Sequence, residues 1–181
     1  MKIGIIGGGI FGVTIANRLA RSHKVEIFEK NDDILKAASD VNQCRVHRGY
    51  HYPRSDTTTN EVLESEEDFI DEYKDAIMID TENYYCISKF DSHVSSEEYV
   101  KFCKRHNLEY TKINLDLVDK NSIDVCLKVK EYLFDHEILK KKCWEKLNKS
   151  GVTVHLNTIA DDEVYEKYDF IIISTYANVN S

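Results

Sequence analysis

Three glycines near the start of the chain are spaced as in a turn that binds a dinucleotide. Gly7, Gly9 and Gly12 follow the apolar run KIGII and precede a segment with helical periodicity. In the G-x-G-x-x-G pattern the first glycine permits a tight turn, the second lets a pyrophosphate approach the backbone, and the third lets helix and strand pack closely. Unpaired N–H groups at the start of such a helix then face the phosphate charge. The alternative is that the glycines serve packing alone.

An acidic residue follows at the position where the sugar of a dinucleotide would be recognised. Glu29 ends the second apolar segment, 17 residues after Gly12. A carboxylate at the end of a second strand can accept hydrogen bonds from ribose hydroxyls, and it would repel the 2′-phosphate of NADP. Glu29 therefore favours NAD or FAD and does not distinguish between them.

The periodicities around the glycines predict a βαβ unit. Residues 2–7 and 24–30 have the apolar pattern of strands, and Ile10–Arg21 has that of an amphipathic helix. A crossover of this kind makes the two strands parallel neighbours. The apolar run Phe170–Ile173 predicts a central parallel strand that is buried on both faces. Further helices are predicted at 58–75, 95–106 and 135–149, and further strands at 84–88 and 152–156.

Composition narrows the class of protein. The chain has 181 residues with 24 Lys+Arg against 32 Asp+Glu, a formal net charge of −8 at pH 7. This balance argues against a nucleic-acid binder, because contact with phosphates needs a surplus of cations. No segment approaches the roughly 20 apolar residues of a membrane span, and no signal-peptide core is present. We expect a cytoplasmic, globular protein.

The cysteines give no sign of a structural cross-link. The five are odd in number, far apart and without a C-x-x-C pair, so neither a disulfide framework nor a zinc site is expected. Buried thiols and no metal site are the expectation. The five are Cys44, Cys86, Cys103, Cys126 and Cys143.

A polar stretch from residue 37 to residue 55 completes the pattern. It is dense in amide, guanidinium, imidazole and phenol groups, which would be costly to bury without hydrogen-bond partners. It is therefore either a solvated loop or the lining of a polar site.

Together these pieces resemble the N-terminal part of the FAD-dependent oxidoreductases of the D-amino-acid oxidase superfamily, which includes glycine oxidase, sarcosine oxidase and 2-hydroxyglutarate dehydrogenase. The matching pieces are Gly7–Gly12, Glu29-Lys30, Ala38-Ser39 to Asn42-Gln43 with Arg45-Val46-His47, and the late strand 169–175. The resemblance implies an α/β fold with a Rossmann-like FAD-binding parallel sheet, helices on both faces and a mixed α+β insertion. It also implies that the C-terminal part of the family fold is missing.

The resemblance further implies one FAD/NAD(P)-binding domain over residues 1–181. The sheet strands would come from about 1–54 and 150–181, with an α+β insertion at about 55–149. The residues implied to bind FAD are Gly7, Gly9, Ile10, Phe11, Gly12, Glu29, Lys30, Ser39, Asn42, Gln43, Ile159, Thr175 and Tyr176. Tyr176 stands where the family usually has a small glycine, which departs from the pattern.

The reactive side of the flavin would be lined by His47, Tyr50 and His51. His47 and His51 are the candidate catalytic residues, because an imidazole can stabilise charge on a reduced flavin or steer a substrate carboxylate. The resemblance identifies no catalytic base. It implies oxidation of a C–N or C–O bond in a small amino or hydroxy acid, by a truncated enzyme whose uncovered face would favour self-association or a partner.

Three other functions stay open at this point. A flavin-dependent sugar-nucleotide mutase resembling UDP-galactopyranose mutase is suggested by Gly9–Gly12 and Glu29-Lys30, although the Gly-Gly-Asn turn of those enzymes is absent. A dinucleotide-binding fragment without catalysis is the second alternative, and an NAD-binding Rossmann protein is the third.

Overall fold

The computed structural model describes residues 1–176, which form two compact units. Unit 1 comprises Met1–Gln43 and the chain from His136 onward, and unit 2 comprises Cys44–Asp135. Unit 2 is therefore one continuous segment inserted into the sequence of unit 1. Among the described residues, no helix is both long and apolar enough to span a membrane.

Residues 1–176 form ten strands and five α-helices. The strands are β1 Lys2–Ile6, β2 Lys24–Phe28, β3 Arg45–Val46, β4 Ile77–Met78, β5 Asn83–Ser88, β6 Tyr110–Ile113, β7 Ile123–Val129, β8 Tyr132–Phe134, β9 Thr153–His155 and β10 Phe170–Ile173. The helices are α1 Ile10–Leu19, α2 Asp56–Tyr73, α3 Ser96–Arg105, α4 His136–Ser150 and α5 Asp162–Tyr165. Every helix and strand predicted from the sequence is present, with ends that differ by a few residues.

The core of unit 1 is a parallel four-stranded sheet in the order β10-β1-β2-β9. On one face, Ile5 and Ile27 are completely buried, and α1 packs against β1, β2 and α4. The α/β fold with a parallel sheet is therefore confirmed. Because all strands run in the same direction, their carboxyl ends meet at one edge of the sheet, where the glycine turn lies.

The position of β10 corrects one prediction. Phe170–Ile173 was expected to be a central strand buried on both faces, but in the described part of the chain β10 pairs with β1 and lies at the edge of the sheet. Phe170 and Ile173 are 58% and 51% exposed. An apolar run indicates a strand, but the place of that strand in the sheet depends on the crossovers, which the run does not encode.

Unit 2 contains two antiparallel sheets, ordered β3-β8-β4 and β5-β7-β6. Its helices start at well-formed caps: the hydroxyl of Ser55 accepts from the N–H of Thr58 at α2, and Ser95 and Glu98 form a capping box at α3. The buried core residues are Tyr50, Tyr99, Phe102, Cys103, Leu108, Leu127 and Val129.

A disulfide in unit 2 corrects a second prediction. Cys86 of β5 and Cys126 of β7 lie directly opposite each other in the antiparallel pair and are joined. The expectation that all five cysteines are thiols was wrong, because 40 residues separate the two in sequence and only the strand register brings them together. Cys103 is a buried thiol, and burial raises its pKa to about 11.

Candidate functional site

The glycine turn, residues 7–12, joins the end of β1 to the start of α1. Gly7 has a φ of +107°, which residues with a side chain rarely adopt. A β-carbon on Gly12 would lie 2.0 Å from the carbonyl oxygen of Gly7, so the helix approaches the strand this closely because position 12 has no side chain. These two positions supply the tight turn and the close packing that the glycine spacing predicts.

Gly9 has a different role, because a β-carbon there would make a single ordinary contact and no clash. It immediately precedes α1 and offers no side-chain cap. The nearest neighbour of a β-carbon built there would be the Oγ of Ser39, at 3.4 Å. That hydroxyl accepts a hydrogen bond from the N–H of Ile10 at 3.2 Å. The start of α1 is thus open beside a hydroxyl group, an arrangement that suits the oxygens of a diphosphate.

The segment after β2 folds back to place Ser39 at the turn. The N–H of the buried Leu35 donates to the carbonyl of Gly8 at 2.8 Å. The side-chain amide of Asn42 donates to the carbonyl of Ser39 at 2.8 Å. Leu35 and Ala37 have φ values of +57° and +59°. Such conformations cost about 1–2 kcal/mol per residue and concentrate at functional sites.

Glu29 is held at the same edge of the sheet. Its side chain is buried, and Oε2 accepts from the N–H of Gly8 at 2.6 Å. Oε1 accepts from the backbone N–H of Asn31 at 2.9 Å and from its side-chain amide at 2.6 Å. A carboxylate has about four lone-pair sites, and three are used here, so about one remains for a ribose hydroxyl. Sequence reasoning missed Asn31, although an amide two residues after a strand-ending acid was the available signal.

The end of β10 supplies the third wall of this site. A β-carbon on Gly7 would lie 2.4 Å from the carbonyl oxygen of Ser174, so the residues after β10 lie against the turn. The Oγ1 of Thr175 is buried and has no hydrogen-bond partner among the described residues. A buried hydroxyl without a partner is costly, so it fits an acceptor supplied by a ligand. A diphosphate between Gly9, Ser39 and Thr175 would provide that acceptor.

Tyr176 has a backbone conformation that glycine favours. Its φ is +55°, in the left-handed region that favours glycine, and its side chain is 83% exposed. The backbone at Tyr176 is thus in a region that a glycine would adopt readily. The large ring extends outward from the turn after β10.

The remaining predicted residues of unit 1 are exposed, which suits groups that await a ligand. Phe11 and Ile159 are 77% and 79% exposed. The N–H of Thr158, just before Ile159, donates to the carbonyl of Glu29 at 2.9 Å, so the chain after β9 runs beside the end of β2. The residues with exposed side chains also include Lys30, Asn42 and Gln43.

Unit 2 contains the three ring residues that were expected on the reactive side of a flavin. Tyr50 is completely buried, its hydroxyl donates to the carbonyl of Glu109 at 2.6 Å, and burial raises its pKa to about 12. Tyr50 is therefore a core residue. His51 is exposed, and its ring centroid lies 5.7 Å from that of His47.

A buried carboxylate that sequence reasoning missed organises the polar centre of unit 2. The side chain of Glu131 has 0% exposure. Burial opposes its charged form, but the contacts from His47, from the N–H of Arg48 and from other polar groups outweigh burial and lower the pKa of Glu131. We call Glu131 and its partners the Glu131 network. The partners are Arg45, His47, Arg48 and Tyr85.

Curated relatives are 28% identical to this chain. One is the FAD-dependent monooxygenase kojA of Aspergillus flavus, aligned over 173 residues that cover 89% of this chain and 39% of the relative. Another is the FAD-dependent monooxygenase FPY4 of Fusarium mangiferae, where the alignment covers 98% of this chain and 50% of the relative. The chain thus spans half or less of the length of these two relatives.

Solved structures share the fold. Glycine oxidase from Geobacillus kaustophilus has a TM-score of 0.66 at 14% identity, covering 86% of this chain and 46% of its own. L-α-glycerophosphate oxidase from Mycoplasma pneumoniae, solved with FAD bound, has a TM-score of 0.65 at 16% identity, covering 86% of this chain and 44% of its own. The model of the family described as FAD dependent oxidoreductase matches residues 2–164. The chain therefore belongs to the FAD dependent oxidoreductase family, whose cofactor is FAD.

Proposed function

We propose that unit 1 holds FAD at the carboxyl edge of its sheet. The diphosphate would lie at the start of α1, against the backbone of residues 9–12 and the hydroxyls of Ser39 and Thr175. Glu29 would accept from the adenosine ribose, and the backbone at Ile159 would meet the adenine. The buried, unpartnered Oγ1 of Thr175 is the observation that carries this proposal, because it needs an acceptor at this point.

We propose further that the whole protein oxidises a C–N or C–O bond of a small amino or hydroxy acid. FAD, when bound, supplies the electron-accepting ring for such chemistry, and the protein binds, orients and excludes water. The support is the shared fold with proteins named for glycine and for L-α-glycerophosphate, which offer a C–N and a C–O bond. Small-molecule oxidation is thus the function that the family and the site together favour.

FAD binding is tested by purifying the chain, recording its visible spectrum and titrating FAD and NAD separately. We expect FAD to bind in preference to NAD. Gly9→Val should weaken FAD binding at least tenfold while the chain stays folded, because the added side chain would occupy the position beside the Oγ of Ser39 where the diphosphate is proposed. Gly151→Ala is the matched control, since a β-carbon there meets nothing within 4 Å. Selective binding of NAD, or an unchanged FAD affinity in Gly9→Val, would contradict the proposal.

The substrate class is tested by adding amino and hydroxy acids to the FAD complex without oxygen. Loss of the visible flavin band with a member of either class supports oxidation at C–N or C–O. A complex that no such acid bleaches, but that converts a sugar nucleotide after chemical reduction, would favour the mutase alternative. A complex that binds FAD and does neither would favour the non-catalytic alternative.

Oxygen insertion is a second candidate function, favoured by the names of the curated relatives. Both are FAD-dependent monooxygenases, and both align with most of this chain. A monooxygenase would place an atom of isotopically labelled oxygen gas in the product, whereas an oxidase would place both atoms in hydrogen peroxide. Mass spectrometry of the product separates the two.

We also propose that an apolar surface on unit 1 favours association. Phe170 and Ile173 of the edge strand are both more than half exposed. Edge strands with exposed apolar side chains are ready templates for further pairing. Sedimentation at several protein concentrations tests this proposal. The sedimenting mass should rise reversibly with concentration as a second copy binds, and Phe170→Lys should reduce that rise. A monomer at all concentrations would contradict self-association.

A further inference from the structure

The imidazole of His47 in unit 2 has an inner and an outer edge. Its Nδ1 atom is buried and has no hydrogen-bond partner among the described residues. The side chain as a whole is 36% exposed. Its exposed surface must therefore lie on the rest of the ring, away from Nδ1.

The inner edge faces the carboxylate of the Glu131 network. Oε1 of Glu131 lies 3.7 Å from Nδ1 of His47, slightly beyond hydrogen-bond distance. Oε1 also accepts from the N–H of Arg48 at 3.3 Å, which holds the carboxylate in place. A small rotation of the ring would close the remaining gap, and polar contacts in ligand-free sites are often long in this way.

The other carboxylate oxygen is occupied by separate partners. Oε2 accepts from Nη1 of Arg45 at 3.2 Å and from the hydroxyl of Tyr85 at 3.1 Å. The guanidinium of Arg45 also lies over the Tyr85 ring, 5.1 Å from its centroid. Because Oε2 is used by these two groups, Oε1 is the oxygen left to meet the imidazole.

The remaining polar groups around His47 do not compete for Nδ1. The ring centroids of His51 and Tyr52 lie 5.7 and 5.8 Å away, which are aromatic contact distances. The guanidinium of Arg48 is directed to another acid, since its Nε lies 3.4 Å from Oε2 of Glu66 on α2. The negative charge that faces the imidazole is therefore that of Glu131.

We propose that Glu131 is a positioning residue that keeps a proton on Nδ1 of His47, so that the imidazole gains and loses its other proton at Nε2. A carboxylate beside one ring nitrogen selects the tautomer with hydrogen on that nitrogen, as it does for histidines that bind metals. Nδ1 then carries hydrogen in both the neutral and the charged ring. Nε2 of the neutral ring is left as a proton acceptor.

This assignment leaves His47 with a proton acceptor at Nε2, and any use of that acceptor in oxidation depends on the proposed function. Oxidation of a C–N or C–O single bond to a double bond removes a hydride from carbon and a proton from nitrogen or oxygen. The hydride would pass to FAD with both electrons, and Nε2 of a neutral imidazole belongs to the class of groups that accept such a proton. The tautomer itself needs neither FAD nor substrate.

The experiment is nitrogen NMR of the histidine side chains in the full chain, at a pH where the rings are neutral. We expect the Nδ1–H tautomer for His47, and a shift of most of the population to Nε2–H in Glu131→Gln. His155 is the internal control, because its Nε2 lies 2.8 Å from Oε2 of Glu26 and should carry hydrogen in both proteins. Tyr85→Phe removes a partner of Oε2 and leaves Oε1 unchanged, so its His47 tautomer should match that of the wild type.

An Nε2–H tautomer for His47 in the wild type would overturn the proposal without any variant, so the test does not depend on Glu131→Gln folding. An unchanged tautomer in a folded Glu131→Gln would also overturn it. The FAD titration described above is independent. If FAD does not bind but His47 has the expected tautomer, only the proposed function is refuted. If FAD binds but His47 has the Nε2–H tautomer, only the positioning role is refuted.

Discussion

The two units of the molecule build their polar centres from different parts of the chain. In unit 1, the candidate site consists mainly of backbone groups around the start of α1, and its key residues are glycines. In unit 2, the polar centre is the side chain of Glu131, which is fully buried and held by other side chains. A backbone site requires empty space, whereas a side-chain network requires matched charges.

The difference implies different sensitivities to mutation. An added methyl group should harm the backbone site of unit 1 and have little effect on an exposed position of unit 2. Loss of one charge should harm the Glu131 network, because four partners surround that carboxylate. Four predictions test this contrast.

The largest effect is expected for Glu131→Ala. Removing the carboxylate leaves Arg45 with an uncompensated, largely buried charge, and breaking such a pair costs about 4 kcal/mol. We expect the free energy of unfolding of unit 2 to fall by that amount in urea denaturation followed by circular dichroism. Glu109→Ala is the control: Glu109 forms an exposed pair with Lys130, and such pairs contribute at most about 1 kcal/mol. Equal losses in the two variants would show that the network does not depend on its charge.

Gly12→Val should have the next largest effect, and it should act on unit 1. The first added carbon would lie 2.0 Å from a backbone oxygen, and overpacking of this kind costs about 3 kcal/mol. Fluorescence of Trp144, the single tryptophan, reports on unit 1 during denaturation. Gly151→Ala adds a carbon where nothing lies within 4 Å, so its cost should be limited to about 1 kcal/mol from its positive φ. Similar losses in both variants would contradict the close-packing argument.

Acid should destabilise unit 1 through Glu26. Burial alone would raise the pKa of Glu26, but hydrogen bonds from His155 and Tyr168 and nearby lysines outweigh burial and lower it below 4.5. Because the pKa of Glu26 is lowered in the folded state, the charged carboxylate stabilises unit 1 above pH 4.5. This stabilisation is lost as the pH falls through the pKa that Glu26 has in the folded protein. Glu26→Gln should flatten the stability of unit 1 against pH in that range. Glu145→Gln, at an exposed ion pair, should leave the slope unchanged.

The smallest effect, of opposite sign, is expected for Glu66 of α2. Burial raises the pKa of Glu66 above 4.5, and its Oε1 is buried without a hydrogen-bond partner among the described residues. A raised pKa in the folded state means that stability is lost as the pH rises through that pKa. The charged form of Glu66 is therefore unfavourable at pH 7. Glu66→Gln should therefore stabilise unit 2 at pH 7, because it removes the unfavourable charge. The exposed Glu64→Gln is the control, and destabilisation by Glu66→Gln would show that pairing with Arg48 is the stronger effect.

Sequence reasoning succeeded where the signal is local. The strand, glycine turn, helix and second strand lie within the first 30 residues, and each follows from the periodicity and residue types of its own segment. Glu29 was found because its position at the end of a strand is itself a local property. The helices α2 and α3 were found because their apolar spacing is local as well.

Some expectations remain predictions. The single domain over 1–181 with an insertion at about 55–149 is one of them, and residues 177–181 lie outside the described part of the chain. The cytoplasmic location is another. The contacts of the predicted site residues with FAD also remain predictions.

The sequence by itself determined the βαβ unit and its glycine turn, because glycine spacing, strand-ending acids and apolar periods act over a few residues. These local features left NAD and FAD open, and the resemblance to the family implied FAD. Only the tertiary structure decided that β10 is an edge strand, that Cys86 meets Cys126, and that Glu131 lies beside Arg45 from 86 residues away. The physical reason is that strand register and buried charge pairing depend on which distant segments meet. No property of the individual segments specifies that meeting.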